Sequence, residues 1–343
     1  MPSVVSFHAD PVFLLNQFLE GKSYSRVSLL TDENTYLQCY ELIKDHLPVH
    51  TAMEIPAGES YKNLDTCQGI WQRLTDLHFD RHSLLIILGG GVLGDMGGFC
   101  AATYKRGIPF VLMPTTLLAQ VDASVGGKLG VDFNGLKNHI GVFCEPAATL
   151  ISNAFLKTLP ERELRSGFAE IIKHCLISDK QMWETITHRP LADQDWEALT
   201  RHSVAFKQSV TNQDPTEKGL RKILNFGHTI GHAVESYFLP TEERLFHGEA
   251  IAVGMIAESF IAHKKGLLTA GELTSITNYL LGIFEKQDLS FDDDEVIELI
   301  MQDKKNKENK ILMALTSGIG KAVWDVEVSA GEVKESIAYY RSY

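Results

Sequence analysis

A run of apolar residues that ends in three consecutive glycines limits most strongly what this chain can fold into. Residues 83–88 (Ser-Leu-Leu-Ile-Ile-Leu) lead directly into Gly89-Gly90-Gly91. Short apolar runs bounded by glycine or proline are typical of strands buried on both faces of a parallel sheet. Similar runs occupy residues 26–30 and 109–113, and residues 64–77 carry apolar side chains near helical spacing. The order strand, helix, strand predicts a βαβ unit and therefore an α/β domain.

The pattern changes beyond Pro160. From Glu161 to Gly282 strand signals nearly vanish, and helices with apolar faces are indicated instead. Acidic residues at 292–295 precede an apolar stretch, which predicts a helix that starts there because carboxylates suit the positive end of a helix dipole. A chain of 343 residues exceeds the usual size of one core. We therefore predict the fold class α/β plus α, with an α/β domain over residues 1–155 and a mostly helical domain over residues 156–343.

Composition argues against several classes of protein. The formal net charge of −12 disfavours a nucleic-acid surface, although a local basic cluster can still bind a small phosphate. No apolar stretch approaches the roughly eighteen residues of a membrane helix, and the N-terminus lacks a signal-peptide pattern. The cysteines are odd in number and never form a CxxC pair, which favours reduced thiols at Cys39, Cys67, Cys100, Cys144 and Cys175. We expect a soluble, cytoplasmic protein without a nucleic-acid or membrane partner.

Histidines near the middle of the helical half suggest a metal site. Residues 225–232 (NFGHTIGH) contain His228 and His232, and His247-Gly248-Glu249 follows. If residues 225–235 are helical, His228 and His232 lie one turn apart on one face and can point into one site. An isolated HxxxH pair is also common among ordinary surface histidines. The motif alone leaves both interpretations open.

Glycines after the second predicted strand suggest a phosphate-binding turn. Gly89, Gly91 and Gly94 have GxGxxG spacing at the start of a predicted helix, where backbone N–H groups can approach a pyrophosphate. The match departs from the ordinary dinucleotide fingerprint, because no acidic residue follows about twenty positions later. A tight structural turn is the alternative.

Small polar residues and lysines follow the third predicted strand. Residues 114–128 are rich in hydroxyls and glycines, and Lys128, Lys137 and Asn138 add cations and an amide. This chemistry suits a phosphate or a polyol, whereas the structural alternative is a solvated loop. The helical half adds another cationic set, which favours a phosphorylated acid as ligand: Lys173, Lys207, Arg221 and His232.

Five motifs together resemble the 3-dehydroquinate synthase family over nearly the full length of the chain. They are GGGVLGD at 89–95, PTTLLAQVD at 114–122, GFAEIIK at 167–173, NFGHTIGH at 225–232 and HGEA at 247–250. The resemblance implies a Rossmann-like dinucleotide-binding α/β domain followed by a helical metal- and substrate-binding domain. It also implies NAD and zinc as cofactors, with cobalt as an alternative metal, a small phosphorylated sugar acid as substrate, and a homodimer.

The resemblance further implies roles for individual residues. Glu170, His228 and His247 would bind the metal, and His232 would contact the substrate rather than the metal. NAD would be held by Asp32, Asn34, Glu59, Lys62, Gly90, Gly91, Val92, Gly94, Asp95, Thr115, Thr116, Lys128, Lys137, Phe155, Leu156, Lys157 and Thr158. The substrate would be bound by Asp122, Lys128, Asn138, Lys207, Arg221, Asn225, His232 and Lys304, with Arg106 from the partner subunit. Catalytic roles would belong to Lys128, Lys173, Glu217, Arg221 and His232.

The match has departures and one ambiguity. Ala123 and Leu129 stand where the family often has serine and threonine, although no charged group is lost. Lys305 is an alternative to Lys304, and the later lysines up to Lys310 suit an exposed basic face. Sequence context alone would make Glu217 a solvated carboxylate.

The implied reaction converts 3-deoxy-D-arabino-heptulosonate 7-phosphate to 3-dehydroquinate and phosphate, in the shikimate pathway. Three alternatives remain at this point. A related sugar-phosphate cyclase would use the same cofactors but an altered phosphate and carboxylate pocket. A metal-dependent polyol dehydrogenase of similar fold would release NADH, and a non-catalytic NAD-binding module would have lost a metal ligand.

Overall fold

The computed structural model describes residues 4–134, 136–302 and 311–343. The chain divides into two compact units, Met1–Leu164 and Arg165–Tyr343. The predicted functional boundary between residues 155 and 156 stays a prediction. Within the described residues, no helix combines the length and the apolar character needed to cross a membrane.

The first unit is built on a parallel sheet. Its strands in the described residues are β1 (Val4–Phe7), β2 (Val27–Asp32), β3 (Thr51–Ile55), β4 (Leu84–Gly89), β5 (Phe110–Pro114), β8 (Ala148–Ile151) and the hairpin β6 (Lys128–Phe133) and β7 (Leu136–Phe143). Its helices are α1 (Pro11–Leu19), α2 (Glu33–Gln38), α3 (Leu64–Asp76) and α4 (Gly91–Thr103). The sheet order is β1-β8-β5-β4-β2-β3, and every described pairing in it is parallel.

Helices cover both faces of this sheet, which explains the uninterrupted apolar run of β4. Leu85 and Ile87 pack into a core with α3 and α4, whereas Leu84, Ile86 and Leu88 pack into a second core with α1. Successive side chains of a strand point to opposite faces, so a strand covered on both sides must be apolar at every position. The predicted strands and the helix at 64–77 are therefore confirmed.

The second unit is mostly helical. Its helices are α5 (Glu161–Ser178, of which Arg165 onward lies in this unit), α6 (Lys180–Thr187), α7 (Trp196–Gln213), α8 (His228–Phe238), α9 (His247–Lys264), α10 (Ala270–Phe284), α11 (Asp293–Gln302) and α12 (Ala330–Arg341). An antiparallel hairpin precedes α12, formed by β9 (Ile311–Thr316) and β10 (Ala322–Val328). The predicted fold class, α/β followed by a mostly helical part, is confirmed.

One predicted helix boundary is wrong. Residues 225–227 do not belong to α8, because Gly227 has a left-handed backbone with φ of 78° and the α-helix begins at His228. Leu220–Asn225 instead forms a 3-10 helix. A Cβ on Gly227 would lie 2.5 Å from Met255 Cγ, so the position needs glycine for both its backbone and its packing.

Candidate active site

Three side chains from three helices of the second unit converge on one point. Glu170 on α5 is fully buried, and its Oε1 lies 3.2 Å from His228 Nε2 and 3.5 Å from His247 Nε2. His228 and His247 are the first residues of α8 and α9. Each of the three residues offers one ligand atom, and these atoms lie within 4.8 Å of one another. The predicted metal set is therefore brought together by the fold.

Neighbouring acceptors fix which nitrogen of each imidazole faces the centre. His228 Nδ1 lies 3.0 Å from the carbonyl oxygen of Phe226, and His247 Nδ1 lies 3.2 Å from Glu235 Oε2. A carbonyl oxygen only accepts, so Nδ1 of His228 carries the hydrogen, and the Glu235 carboxylate favours the same on His247. Nε2 of each ring is then the nitrogen presented to Glu170 Oε1. Second-sphere contacts of this kind orient histidine ligands in metal sites.

The charges around Glu170 favour its ionised form. Burial alone would raise the pKa of the Glu170 carboxyl, but the Lys173 ammonium and the His228 imidazole outweigh it and hold that pKa well below its usual range. Lys173 also donates a hydrogen bond to Glu170 Oε2. Burial and the Lys173 ammonium lower the pKa of His228 to about 4. Burial would lower the pKa of His247 as well, but Glu170 and Glu235 raise it to about 10 in the metal-free protein.

The donor set fits a divalent metal. Glu170 Oε1 is buried and accepts no hydrogen bond from the described part of the chain. Leaving a buried carboxylate oxygen without a partner is costly, and a cation between it and the two Nε2 atoms would satisfy it. Two imidazoles and one carboxylate are a ligand set of catalytic zinc sites. A second set within 4.8 Å (His232, Glu235 and His247) lacks such an unpartnered oxygen.

Glycines allow the three helices to approach closely enough for these contacts. A Cβ on Gly248 would lie 2.3 Å from the carbonyl oxygen of Ser166, and the Gly248 N–H donates to Ser166 Oγ at 2.9 Å. This contact joins the start of α9 to α5, four residues before Glu170. A Cβ on Gly254 of α9 would lie 1.9 Å from the carbonyl oxygen of Gly227, which precedes α8. The HGE motif therefore contributes to helix packing through Gly248, in addition to supplying His247.

His232 lies beside Glu170, His228 and His247, the predicted metal ligands, without being one of the three. Its ring centroid is 4.9 Å from that of His228 and 5.9 Å from that of His247. The predicted placement of His228 and His232 one turn apart on one helix face is confirmed, although the helix starts later than predicted.

Buried cations occupy the same unit. Lys173, Lys207 and Arg221 expose 7% or less of their surface, which is unusual for charged side chains. Arg221 donates from Nη1 to the carbonyl oxygen of Pro215 at 2.9 Å, and its backbone N–H donates to Asp214 Oδ2. Such burial favours a fixed cationic site over a solvated face.

Glu217 has a constrained position. It is half-buried, its φ is 59°, and its Oε1 accepts a hydrogen bond from Asn225 Nδ2 at 2.7 Å. The expectation of a merely solvated carboxylate, from sequence context alone, is wrong, because the Asn225 amide orients this side chain.

The residues predicted to hold NAD gather at one edge of the parallel sheet. Asp32 ends β2, the glycine turn follows β4, Thr115 and Thr116 follow β5, and a 3-10 helix, Asn153–Thr158, follows β8. The sheet order reverses between β2 and β4, and ligands of such sheets bind at the carboxyl ends of strands beside that reversal. The N-cap of α4 is Gly90, which supplies no capping side chain, so its first N–H groups suit a phosphate.

A buried lysine connects this edge to the β6–β7 hairpin. Lys62 donates to Asp95 Oδ2 at 2.7 Å and to Asn138 Oδ1 at 2.6 Å. Burial would lower the pKa of Lys62, but the carboxylates of Asp95 and Glu59 raise it. Burial raises the pKa of Asp95, and the Lys62 ammonium opposes that effect. Lys137 Nζ lies 3.5 Å from Glu59 Oε1, and this ion pair joins two further residues that are predicted to contact NAD.

Other predicted site residues have structural roles, are exposed, or lie outside the described residues. Asp32 caps α2 by accepting from the Thr35 N–H at 2.8 Å, so its carboxylate has a structural partner already. Asp122 lies in a π-helical turn, Ala119–Ala123, whose Gln120 and Val121 are fully buried; the solvated-loop alternative for this stretch is wrong. Lys128 and Arg106 are exposed, and Arg106 has a φ of 68°. Lys304 and its alternative Lys305 lie outside the described residues.

Models of one protein family match most of the chain. The 3-dehydroquinate synthase N-terminal model covers residues 52–166, and the 3-dehydroquinate synthase C-terminal model covers residues 167–306. The chain belongs to the 3-dehydroquinate synthase family. A 3-dehydroquinate synthase of Parabacteroides distasonis is 37% identical over 333 residues, which span 95% of this chain and 94% of that protein.

Solved structures similar to this 3-dehydroquinate synthase family member include enzymes with other products. A 2-epi-5-epi-valiolone synthase from Streptomyces hygroscopicus, with NAD+ and Zn2+ bound, has a TM-score of 0.89 at 28% identity and covers 100% of this chain and 97% of its own. A 2-deoxy-scyllo-inosose synthase with carbaglucose-6-phosphate, NAD+ and Co2+ has a TM-score of 0.86 at 25% identity, covering 98% and 96%. Sequence identity is thus higher to the named 3-dehydroquinate synthase than to these two cyclases.

In this member of the 3-dehydroquinate synthase family, the residues that contact the proposed metal ligands and their helices were not predicted from the sequence. Glu235 contacts His247, Ser166 contacts Gly248, and Glu258 contacts the start of α8. The sequence did contain an indication of Glu235 and Glu258. Each is a carboxylate within an apolar helical stretch, and each lies a whole number of helical turns after a histidine. Glu235 is seven residues after His228, and Glu258 is eleven residues after His247.

Proposed function

We propose that this 3-dehydroquinate synthase family member is an NAD- and divalent-metal-dependent lyase, with zinc as its metal and cobalt as a substitute. Its reaction would convert 3-deoxy-D-arabino-heptulosonate 7-phosphate to 3-dehydroquinate and inorganic phosphate without net oxidation. The observation that carries this proposal is the convergence of Glu170 Oε1 with the Nε2 atoms of His228 and His247. When bound, NAD would accept a hydride from C5 of the substrate and return it, and the metal would polarise the hydroxyl at that carbon.

The buried cations of the second unit would bind the charged ends of the substrate. Lys207, Arg221 and the half-buried His232 supply positive charge or hydrogen-bond donors, and the burial of Lys207 and Arg221 strengthens their interactions with an anion. Lys173 lies against Glu170, so it would hold that carboxylate ionised and could stabilise an oxyanion beside the metal. Glu217 would serve as acid or base, with the Asn225 amide fixing the direction of its carboxylate.

The carboxyl edge of the parallel sheet would hold NAD. The backbone at Gly90 and Gly91 would meet the pyrophosphate, because Gly90 is the N-cap of α4 and supplies no capping side chain to the first N–H groups of the helix. Lys62 ties Asp95 of this edge to Asn138, a proposed substrate contact. We further propose the remaining NAD and substrate contacts named from the resemblance, including Lys128, Asp122 and, outside the described residues, Lys304.

We also propose that the protein is a homodimer and that it is located in the cytoplasm. Arg106 is exposed and lies in a left-handed turn, Tyr104–Arg106, which leaves its side chain available to a second copy of the chain. In a dimer it would contribute a cation to the partner's substrate.

The second candidate function is a sugar-phosphate cyclase that forms another cyclic product. The similarity to the valiolone synthase structure favours it. The higher identity to a 3-dehydroquinate synthase and the complete cationic set favour the first candidate. A polyol dehydrogenase would differ from both by accumulating NADH.

The decisive experiment measures phosphate release from 3-deoxy-D-arabino-heptulosonate 7-phosphate with NAD and zinc, and couples the product to dehydroquinase. Phosphate and dehydroquinate in equal amounts, without accumulating NADH, would support the synthase. A folded, metal-loaded sample that releases neither would refute it and direct the search to heptulose phosphates and polyols. His247→Ala should abolish turnover while NAD binding persists, and His188→Ala, an exposed histidine of the same unit, is the matched control.

A further inference from the structure

A buried carboxylate outside the proposed ligand set contacts the start of the helix that carries His228, one of the proposed metal ligands. Glu258 is on α9, eleven residues after His247, and it is fully buried. Its Oε2 accepts a hydrogen bond from the Gly227 N–H at 2.6 Å, and its Oε1 accepts one from the Ile230 N–H at 3.0 Å. Glu258 therefore contacts the start of α8, where His228 is the first helical residue.

This arrangement replaces an ordinary helix N-cap. The residue before a helix usually supplies a side-chain oxygen to the N–H of the third helical residue, which in α8 is Ile230. Gly227 occupies the capping position and has no side chain. The Glu258 carboxylate, from a neighbouring helix, takes that role and also binds the Gly227 N–H.

The Gly227 N–H belongs to the same peptide unit as the Phe226 carbonyl, and a peptide unit is planar. Its N–H donates to Glu258, and its carbonyl oxygen accepts from His228 Nδ1 at 3.0 Å. The carboxylate therefore sets the orientation of the carbonyl that keeps the hydrogen of His228 on Nδ1. That hydrogen in turn leaves Nε2 as the nitrogen presented to Glu170.

We propose that Glu258 is a positioning residue for the metal site, acting through the Phe226–Gly227 peptide to fix the tautomer and direction of His228. The proposal rests on the proposed metal function of Glu170, His228 and His247. Because α9 carries both His247 and Glu258, one helix supplies a ligand and orients another. Close packing reinforces the link, since Gly254 of α9 meets the Gly227 carbonyl.

The test uses Glu258→Gln, which keeps the size of the side chain but turns one acceptor into a donor facing an N–H. Ser259→Ala is the matched control, because Ser259 is the next residue, is fully buried, and its Oγ has no hydrogen-bond partner in the described chain. Zinc affinity is measured by competition with a chelator. Imidazole ¹H–¹⁵N spectra of the metal-free proteins report the tautomer of His228, and the visible spectrum of the Co2+ forms reports coordination geometry.

We expect Glu258→Gln to lose about 10- to 100-fold in zinc affinity, the range seen when an outer-sphere partner is removed. Its His228 should show a mixture of tautomers and its Co2+ spectrum should change, whereas Ser259→Ala matches the wild type. If Glu258→Gln does not fold, Glu258→Asp, which keeps the charge but is too short for both contacts, is measured in the same way. A folded variant with wild-type affinity and an unchanged tautomer overturns the proposal and leaves the proposed function intact. A wild-type protein that binds neither zinc nor cobalt overturns both.

Discussion

Glu235 Oε2 lies 3.2 Å from His247 Nδ1, the ring nitrogen that does not face Glu170. Glu235 is on α8 and His247 begins α9, so this carboxylate–imidazole pair joins the two helices that carry the proposed histidine ligands. A carboxylate on the outer nitrogen raises the basicity of the inner one and fixes the direction of the ring. We therefore expect this pair to increase the metal affinity of the proposed site.

Replacing Glu235 by glutamine should weaken zinc binding by about tenfold or more. The amide can still accept a hydrogen bond, but it lacks the charge that increases the basicity of His247. Chelator competition measures the affinity, and Ser236→Ala, an exposed neighbour on α8, should leave it unchanged. Equal affinities in Glu235→Gln and wild type would contradict this role.

Gly248→Ala should destabilise the protein and separate two of its metal ligands. The new Cβ would lie 2.3 Å from the Ser166 carbonyl oxygen, so α9 must move away from α5. Overpacking of this kind costs about 1–3 kcal/mol. Urea unfolding gives the change in free energy, with zinc affinity measured alongside.

Gly282→Ala should have the opposite effect on stability from Gly248→Ala, although both replace glycine by alanine. Gly282 lies inside α10 and a Cβ there would meet nothing within 4 Å. Alanine should stabilise the protein by about 0.5–1 kcal/mol, because it has the higher helix propensity. Destabilisation by both substitutions to the same extent would mean that the contact at Ser166 is not the cause.

Lys62→Met should destabilise the protein in a pH-dependent way. The pKa of Lys62 is raised above 10.5 in the folded protein, mainly by carboxylates that outweigh burial, so the folded state binds this proton more tightly than the unfolded state. Its contribution is complete below pH 10.5 and is lost as the pH rises through the raised value. Removing one partner of a buried pair costs about 3 kcal/mol, because Asp95 is left without its cation.

Melting temperatures of wild type and Lys62→Met between pH 8 and about pH 11.5 test this expectation. The difference in melting temperature between the two proteins, which is the gap of interest, should be largest near pH 8 and should decrease above pH 10.5. Lys44→Met removes an exposed ion pair with Glu41 and should show no such gap. A gap that is constant across the range would rule out the charge of Lys62 as its origin.

Removal of metal should abolish activity and lower stability together. A ligand that binds only the folded state stabilises it by about 2.7 kcal/mol at one hundred times its dissociation constant. Dialysis against a chelator, followed by zinc or cobalt, should lower and then restore both turnover and melting temperature. In His228→Ala, added metal should raise the melting temperature only slightly. An increase as large as that of the wild type would exclude His228 as a ligand.

Arg221→Ala should raise the KM for the phosphorylated substrate by about tenfold or more, with little change in the KM for NAD. A hydrogen bond to a charged group contributes about 1.5–3 kcal/mol, and Arg221 is assigned to the anion of the substrate. Steady-state kinetics with each substrate varied in turn separates the two effects. Arg201→Ala, an exposed arginine paired with Glu197, serves as the control.

Periodicity predicted the sheet strands and the helical second half because burial dictates residue type along an element. The β4 run illustrates this, since only a strand covered on both faces needs apolar residues at every position. Periodicity did not locate the start of α8, because a left-handed Gly227 and a carboxylate from another helix define it. Such a boundary depends on contacts between residues far apart in the chain.

The proposed metal ligands were predicted from the family resemblance, and the fold brings them together, but the residues around them were not predicted. Glu235, Ser166 and Glu258 act through hydrogen bonds that depend on how three helices cross. Those crossings depend in turn on glycines at Gly248 and Gly254, whose significance is visible only when the opposing backbone is known.

His228 and His247 each occupy the first position of an α-helix, so the positive ends of two helix dipoles point at the place proposed for the metal. These fields oppose a cation and favour an anion. The carboxylates of Glu170, Glu235 and Glu258 offset these fields, and Glu258 does so directly because it binds N–H groups at the start of α8. With a metal bound there, the dipoles would add to its charge, and the centre would attract an anionic substrate more strongly than the three proposed ligands alone would.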